Sequence, residues 1–188
     1  VVAGGLGNDT LQGDDISGPQ GDDELSGGDG DDILLGLGGS DILDGGAGDD
    51  SLDGGAGDDL LDGGEGYDVV IGGDGQDTLL GTQGGDLLQG GSGTDTYLLF
   101  LGGGDIHIED TTGSNTLSFA AGVSASDVTL SMGAGNVVIR YSASDTVTMD
   151  VATFATISSI AFAQPGEPPL TQDELRHRFV PGPVSNDA

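Results

Sequence analysis

The stretch GGAGDDSLDGGAGDDLLDGGEGYDVVIGGDGQDTLL, residues 45–80, is four nonapeptides in a row. Each has glycine at its first, second and fourth positions, aspartate at its sixth and an aliphatic residue at its eighth. Outward from it, the same period runs without a slip from Gly18 to Leu98, nine copies in all, and a tenth, GGLGNDTLQ, begins at Gly4. Positions one and four are glycine in all ten copies. Position six is aspartate in all ten: Asp9, Asp23, Asp32, Asp41, Asp50, Asp59, Asp68, Asp77, Asp86 and Asp95. Position eight is leucine except at Val70 and Tyr97, and position two is glycine except at Pro19, Leu37 and Thr82. Between Gly4's copy and the unbroken array, Gly13 to Ser17 read as a shortened repeat, with Gly13 and Asp15 spaced like positions four and six.

Each column has a physical reading. Closely spaced glycines reach backbone angles closed to other residues, so positions one to six form a tight turn. Positions seven to nine form a short strand with the position-eight side chain inward. One repeat cannot bury a single apolar residue, but stacked repeats can, which makes the array a solenoid. Two repeats make one coil, and coils stack at about 4.8 Å. Aspartates eighteen residues apart then share an edge: Asp23, Asp41, Asp59, Asp77 and Asp95 on one, Asp32, Asp50, Asp68 and Asp86 on the other.

Stacked carboxylates repel in a medium of low dielectric. A hard divalent cation reverses that sign, and glycine turns leave carbonyl oxygens free to face it. Carboxylates plus carbonyls in a flexible ring suit calcium, whereas magnesium wants a tighter octahedron. Zinc would want His or Cys; the chain has no cysteine, and its two histidines, His107 and His177, lie outside the array.

Composition agrees. There are 33 acidic and 3 basic residues among 188, a net charge of -30. That excludes nucleic acid and anionic membrane surfaces as partners, since both need a basic face. The charge and the 39 glycines both oppose folding, so a ligand must tip the balance. No apolar run reaches the ~18 residues of a membrane span. The repeat starts almost at Val1 with no leader before it, so the chain reads as a fragment of something longer.

The array, residues 4–98, resembles the repeats-in-toxin (RTX) haemolysin-type nonapeptide G-G-x-G-x-D-x-U-x, with U large and apolar. The resemblance implies an all-β fold, a right-handed parallel β-roll, with calcium held between turns of one edge by position-six carboxylates and carbonyls of positions one to four. Carried over, it pairs Asp23 with Asp41, Asp32 with Asp50, Asp41 with Asp59, Asp50 with Asp68, Asp59 with Asp77, Asp68 with Asp86 and Asp77 with Asp95, about seven inter-turn sites. The carbonyls are expected from Gly28, Gly30, Gly46, Gly48, Gly55, Gly57, Gly64, Gly66, Gly73 and Gly75. Asp9 stands fourteen residues before Asp23, which leaves its partner open. Family members are secreted, extracellular bacterial proteins that leave by type I secretion machinery.

Three regions are expected: residues 1–98 as the roll, 99–163 as a β region capping its open end, and 164–188 as a Pro-containing tail. Strand-like runs in the cap are Asp105–Glu109, Asn115–Phe119, Asp127–Ser131, Asn136–Tyr141 and Asp145–Met149. In the tail Thr171 to Val180 reads as a short helix with Thr171 as N-cap and Glu174 three residues on, and the resemblance implies either an export signal or a frayed end there. Aspartates at positions five and nine come and go and read as solvated charges.

The leading function is a calcium-binding module that folds on extracellular calcium and supports secretion and folding of a larger protein. As an enzyme the chain has no constellation: G-x-S-x-G and H-E-x-x-H are both absent. His107 alternates with Ile106 and Ile108 and reads as a surface histidine of the cap. The alternative is the C-terminal module of a secreted enzyme or adhesin that contributes polysaccharide or surface binding. An ice-binding face fails, because position seven offers Thr10, Thr78 and Thr96 but Glu24, Ile33, Ile42 and Leu60 elsewhere.

Overall fold

Strands start where the outward residue of position seven follows the aspartate. A computed structural model describes residues 1–14, 20–133, 135–164, 166, 168–171, 174–175 and 179–180, the last pair by backbone alone. The strands are longer than positions seven to nine. Ile42–Ala47 runs through positions one to three of the next repeat, and Leu60–Gly66 reaches position four. The first glycines therefore continue the pairing, and the chain turns at positions four to six.

Successive strands alternate between two parallel sheets. One runs Val2–Leu6, Glu24–Asp29, Ile42–Ala47, Leu60–Gly66, Thr78–Gly81, Thr96–Leu99, Asn115–Phe119, Ile157–Phe162. The other runs Thr10–Gln12, Ile33–Gly38, Ser51–Ala56, Val69–Gly75, Leu87–Gly93, Asp105–Ile108, Thr146–Asp150. Together they form a β-solenoid of about 5 turns, the parallel β-roll. The register within the array is the eighteen-residue coil: Ile42 pairs Leu60, and Leu60 pairs Thr78.

The position-eight residues Leu11, Leu25, Leu34, Leu43, Leu52, Leu61, Val70, Leu79, Leu88 and Tyr97 are all buried in one file between the sheets. A buried leucine contributes roughly 1.5–3 kcal/mol.

Parallel pairing continues past Leu98. Asp105–Ile108 stacks on Leu87–Gly93, and Asn115–Phe119 stacks on Thr96–Leu99. Thr146–Asp150 and Ile157–Phe162 add a further layer in parallel. Thr129–Gly133 and Asn136–Arg140 form an antiparallel pair that extends the second sheet. The core here turns aromatic: Phe119 lies 4.8 Å from Tyr141 and 5.7 Å from Phe162, centroid to centroid. Phe154 is also buried, and Phe100 is half-buried. A helix at Val151–Thr156 carries the chain from the second sheet to the first, its N-terminus capped by Asp150, whose carboxylate accepts from Thr153 N. Nothing in VATFAT announces a helix; only the capping aspartate does.

The expected helix at Thr171–Val180 is corrected at its two ends. Leu170–Thr171 is a strand antiparallel to Ile160, and Phe179–Val180 pairs parallel with Leu130–Ser131. Within this tail, helical backbone among the described residues is at Glu174 and Leu175. The capping pair itself forms, with Thr171 N and Oγ1 both donating to Glu174 Oε2 at 2.9 Å. The pull of the sheet edges on Leu170 and Phe179 outweighs the helical reading. Gln172, Asp173, Arg176, His177 and Arg178 lie outside the described residues, as does residue range 181–188.

Candidate metal centre

Three residues per repeat face inward: the position-six aspartate, the position-eight aliphatic and the position-one glycine. A glycine is required at position one because there is no room for more. A Cβ on Gly45 would collide with Asp50 Oδ2 and with the carbonyl oxygen of Gly63, one coil on. Gly27, Gly36, Gly54 and Gly72 repeat this arrangement with their own aspartates. Each is a small cradle walled by oxygens.

The aspartates form two ladders. Asp23 N donates to Asp41 Oδ1 at 2.7 Å, Asp32 N to Asp50 Oδ1 at 2.7 Å and Asp41 N to Asp59 Oδ1 at 2.7 Å. Asp50 N donates to Asp68 Oδ1 at 2.9 Å, Asp59 N to Asp77 Oδ1 at 2.9 Å and Asp77 N to Asp95 Oδ1 at 3.0 Å. Asp68 N and Asp86 Oδ1 stand at 3.3 Å. The expected same-edge neighbours are thus one coil apart in every case.

Asp9 also has a partner. Its N–H donates to Asp32 Oδ1 at 2.6 Å, twenty-three residues on. The offset is five residues more than the eighteen of the array, and the place of Gly13 corrects its reading as a fourth position. A Cβ on Gly13 would meet Asp23 Oδ2 at 2.8 Å and Gly36 O at 2.9 Å, so Gly13 fills the position-one place for Asp23. Asp15, Ser17, Gly18 and Pro19 lie outside the described residues.

In nine of the ten carboxylates one oxygen is buried without a hydrogen-bond partner. Oδ2 of Asp9, Asp32, Asp41, Asp50, Asp59, Asp68, Asp77, Asp86 and Asp95 is buried and unpaired. Leaving such an atom unmet costs about 1–3 kcal/mol, more for a charged group. Burial, more than mutual repulsion, lifts these carboxyls above the usual carboxylate range, Asp59 and Asp77 to about 6 and Asp68 to about 7. Asp41, Asp50, Asp86 and Asp95 shift the same way for the same first cause.

The expected carbonyl donors line the same edges. Gly28, Gly30, Gly46, Gly48, Gly55, Gly57, Gly64, Gly66, Gly73 and Gly75 all have φ between 102° and 157°. Each stacks over the carbonyl of the equivalent residue one coil back, Gly46 over Gly28 and Gly48 over Gly30 for example. Leu37 keeps this backbone at φ 76° despite its side chain. Among the described residues no three His, Cys, Asp or Glu side chains converge on a point. A cation here would be held by carboxylate oxygens from neighbouring coils together with main-chain carbonyls, the donor set that calcium favours. The unpaired oxygens and the cradles fit such an ion.

Position five is corrected. Its aspartates are exposed but not merely solvated: Asp22 Oδ1 accepts from Ser40 N, Asp31 from Asp49 N, Asp49 from Tyr67 N and Asp58 from Gln76 N. They form a second, outer ladder over the turns.

The column of Asp95 ends in a polar network. Asn115 takes the next place, with its Oδ1 accepting from Asp95 N at 2.8 Å. Its Nδ2 donates to buried Asp110, which also accepts from Tyr97 OH at 2.6 Å. Gly90 N in turn donates to Tyr97 OH. His107 is half-exposed, with its backbone N donating to the Asp86 carbonyl and its Nε2 3.4 Å from Glu109 Oε1.

The profile of the RTX calcium-binding nonapeptide repeat matches the chain four times, at residues 1–15, 13–43, 35–70 and 71–105. Comparison with curated proteins gives no match. Proteins with these repeats are typically type I-secreted, extracellular and bacterial, and the roll is a calcium-binding structural module rather than a catalytic fold. No helix among the described residues is long and apolar enough to cross a membrane. With the repeat profile spanning more than half its length and an aspartate ladder on each edge of a parallel β-roll, the chain belongs to the RTX calcium-binding nonapeptide repeat family.

Proposed function

We propose that this chain is a calcium-driven folding switch that supports export and folding of a larger secreted protein. The observation that carries the reading is the file of buried carboxylates, each with one unpaired oxygen. Eight inter-turn aspartate pairs form the ladders, from Asp9–Asp32 to Asp77–Asp95. Where an ion lies between two such turns, the carboxylates and the stacked glycine carbonyls bind and orient it, and the position-eight file keeps water out.

Calcium, when bound, supplies the positive charge that turns carboxylate repulsion into attraction. Without it, a net charge of -30 and 39 glycines hold the chain open. An open chain suits passage through type I secretion machinery from a calcium-poor cytoplasm. Outside, binding free energy becomes folding free energy. In this division residues 1–98 are the switch, 99–163 cap its end, and 164–188 carry the export signal.

Small-angle scattering tests the reading. In chelator the radius of gyration is expected toward about 46 Å, the unfolded value for this length, and in calcium toward about 16 Å. A compact chain in chelator contradicts it.

A further inference from the structure

Repeat 81–89 departs from the others in four ways. Its position-two residue is Thr82, and the positive φ that Gly64, Gly73 and even Leu37 adopt there is not taken by Thr82. A β-branched residue is strongly disfavoured in that region. The strand accordingly stops at Gly81, and Gln83–Gly84 pairs separately with Glu65–Gly66.

Second, the Thr82 hydroxyl donates to the Gly64 carbonyl at 2.8 Å and faces Asp62 Oδ1 at 3.2 Å. Gly64 O is one of the position-two oxygens that elsewhere face the next coil. A hydroxyl on it takes one of its two lone pairs and places a donor hydrogen on the side that faces the next coil.

Third, the cradle is lost. A Cβ on Gly81 would meet Ile106 Cδ1 and, at 3.2 Å, Leu99 Cδ2, apolar atoms where other repeats place carboxylate and carbonyl oxygens. Fourth, the Asp68–Asp86 rung is the longest of the eight, 3.3 Å, and the backbone N–H groups of Thr82 and Gly85 face the Asp86 carboxylate.

The same device closes the opposite edge. There the Thr112 hydroxyl donates to the position-two carbonyl of Gly91, in the coil where Asn115 has replaced the aspartate. A threonine on a position-two carbonyl therefore coincides with the end of a column.

We infer that Thr82 closes the calcium column on its edge, so that the position between Asp68 and Asp86 takes up no calcium while the other seven aspartate pairs do. The inference rests on the folding-switch reading and deepens it: the last coil on this edge is held by protein groups alone.

Calcium counted by equilibrium dialysis on the full chain and its variants tests it. Asp86→Asn keeps the Oδ1 acceptor and is expected to bind as many ions as the parent, whereas Asp77→Asn, its counterpart on the other edge, loses at least one. Thr82→Gly is expected to gain one ion, and Leu37→Gly, whose backbone already has the required φ, to gain none. A lost ion in Asp86→Asn, or an unchanged count in Thr82→Gly, overturns the inference. A parent chain that binds no calcium overturns the folding-switch reading itself.

Discussion

At Gly45 the absence of a side chain matters more than backbone freedom. Its φ is not in the left-handed region, yet a Cβ would strike Asp50 Oδ2 and Gly63 O. Gly45→Ala is therefore expected to lower the stability of the calcium-loaded roll by about 1–3 kcal/mol, as overpacking does. Gly21 has open space around its Cβ position, so Gly21→Ala should stay within about 0.5 kcal/mol. Thermal melts in calcium measure both. The aspartates make a second prediction. Carboxyls raised toward 6 and 7 bind more protons folded than unfolded. The metal-free roll thus loses stability as pH rises from about 4 to about 7 and is relieved below that window. Circular dichroism in chelator should show β structure returning from about pH 7.5 to about pH 4.5; a flat profile counts against these carboxyls. The position-six column was legible because ten repetitions isolate it from the scatter at positions five and nine. The outer ladder of Asp22, Asp31, Asp49 and Asp58 was not, because it depends on which backbone N–H the stacked coil presents.

Among the elements, the strands of the array follow from the period, since alternation places positions eight and one inward together. What the period does not reveal is how a column stops. Asp110 and Asn115 lie in a stretch that keeps only Gly113 of the repeat's glycines, and Tyr97 stands in the position-eight column like any apolar residue. Only stacking brings the three together. Tyr97→Phe removes the donor to Asp110 and the acceptor of Gly90 N while keeping the packing. A loss of about 1–3 kcal/mol is expected, measured by urea unfolding in calcium. An unchanged midpoint would reduce this network to packing. The tail shows the opposite failure: Thr171 and Glu174 make the predicted capping contacts, but neighbouring strands recruit the flanking residues.

For the whole molecule, the decisive balance is between a single-file core and the charge stacked beside it. Half of the chain's order comes from a code of three inward positions, and the remainder from an aromatic cap that closes the sheets where the code ends. The central claim is that this balance favours folding only with calcium. A far-UV circular dichroism titration with calcium, with magnesium as control, tests it most directly. A coil-like spectrum in chelator that gains β signal cooperatively with calcium and not with magnesium is the predicted result. A chain already β-structured in chelator at neutral pH, and unchanged by calcium, would contradict it.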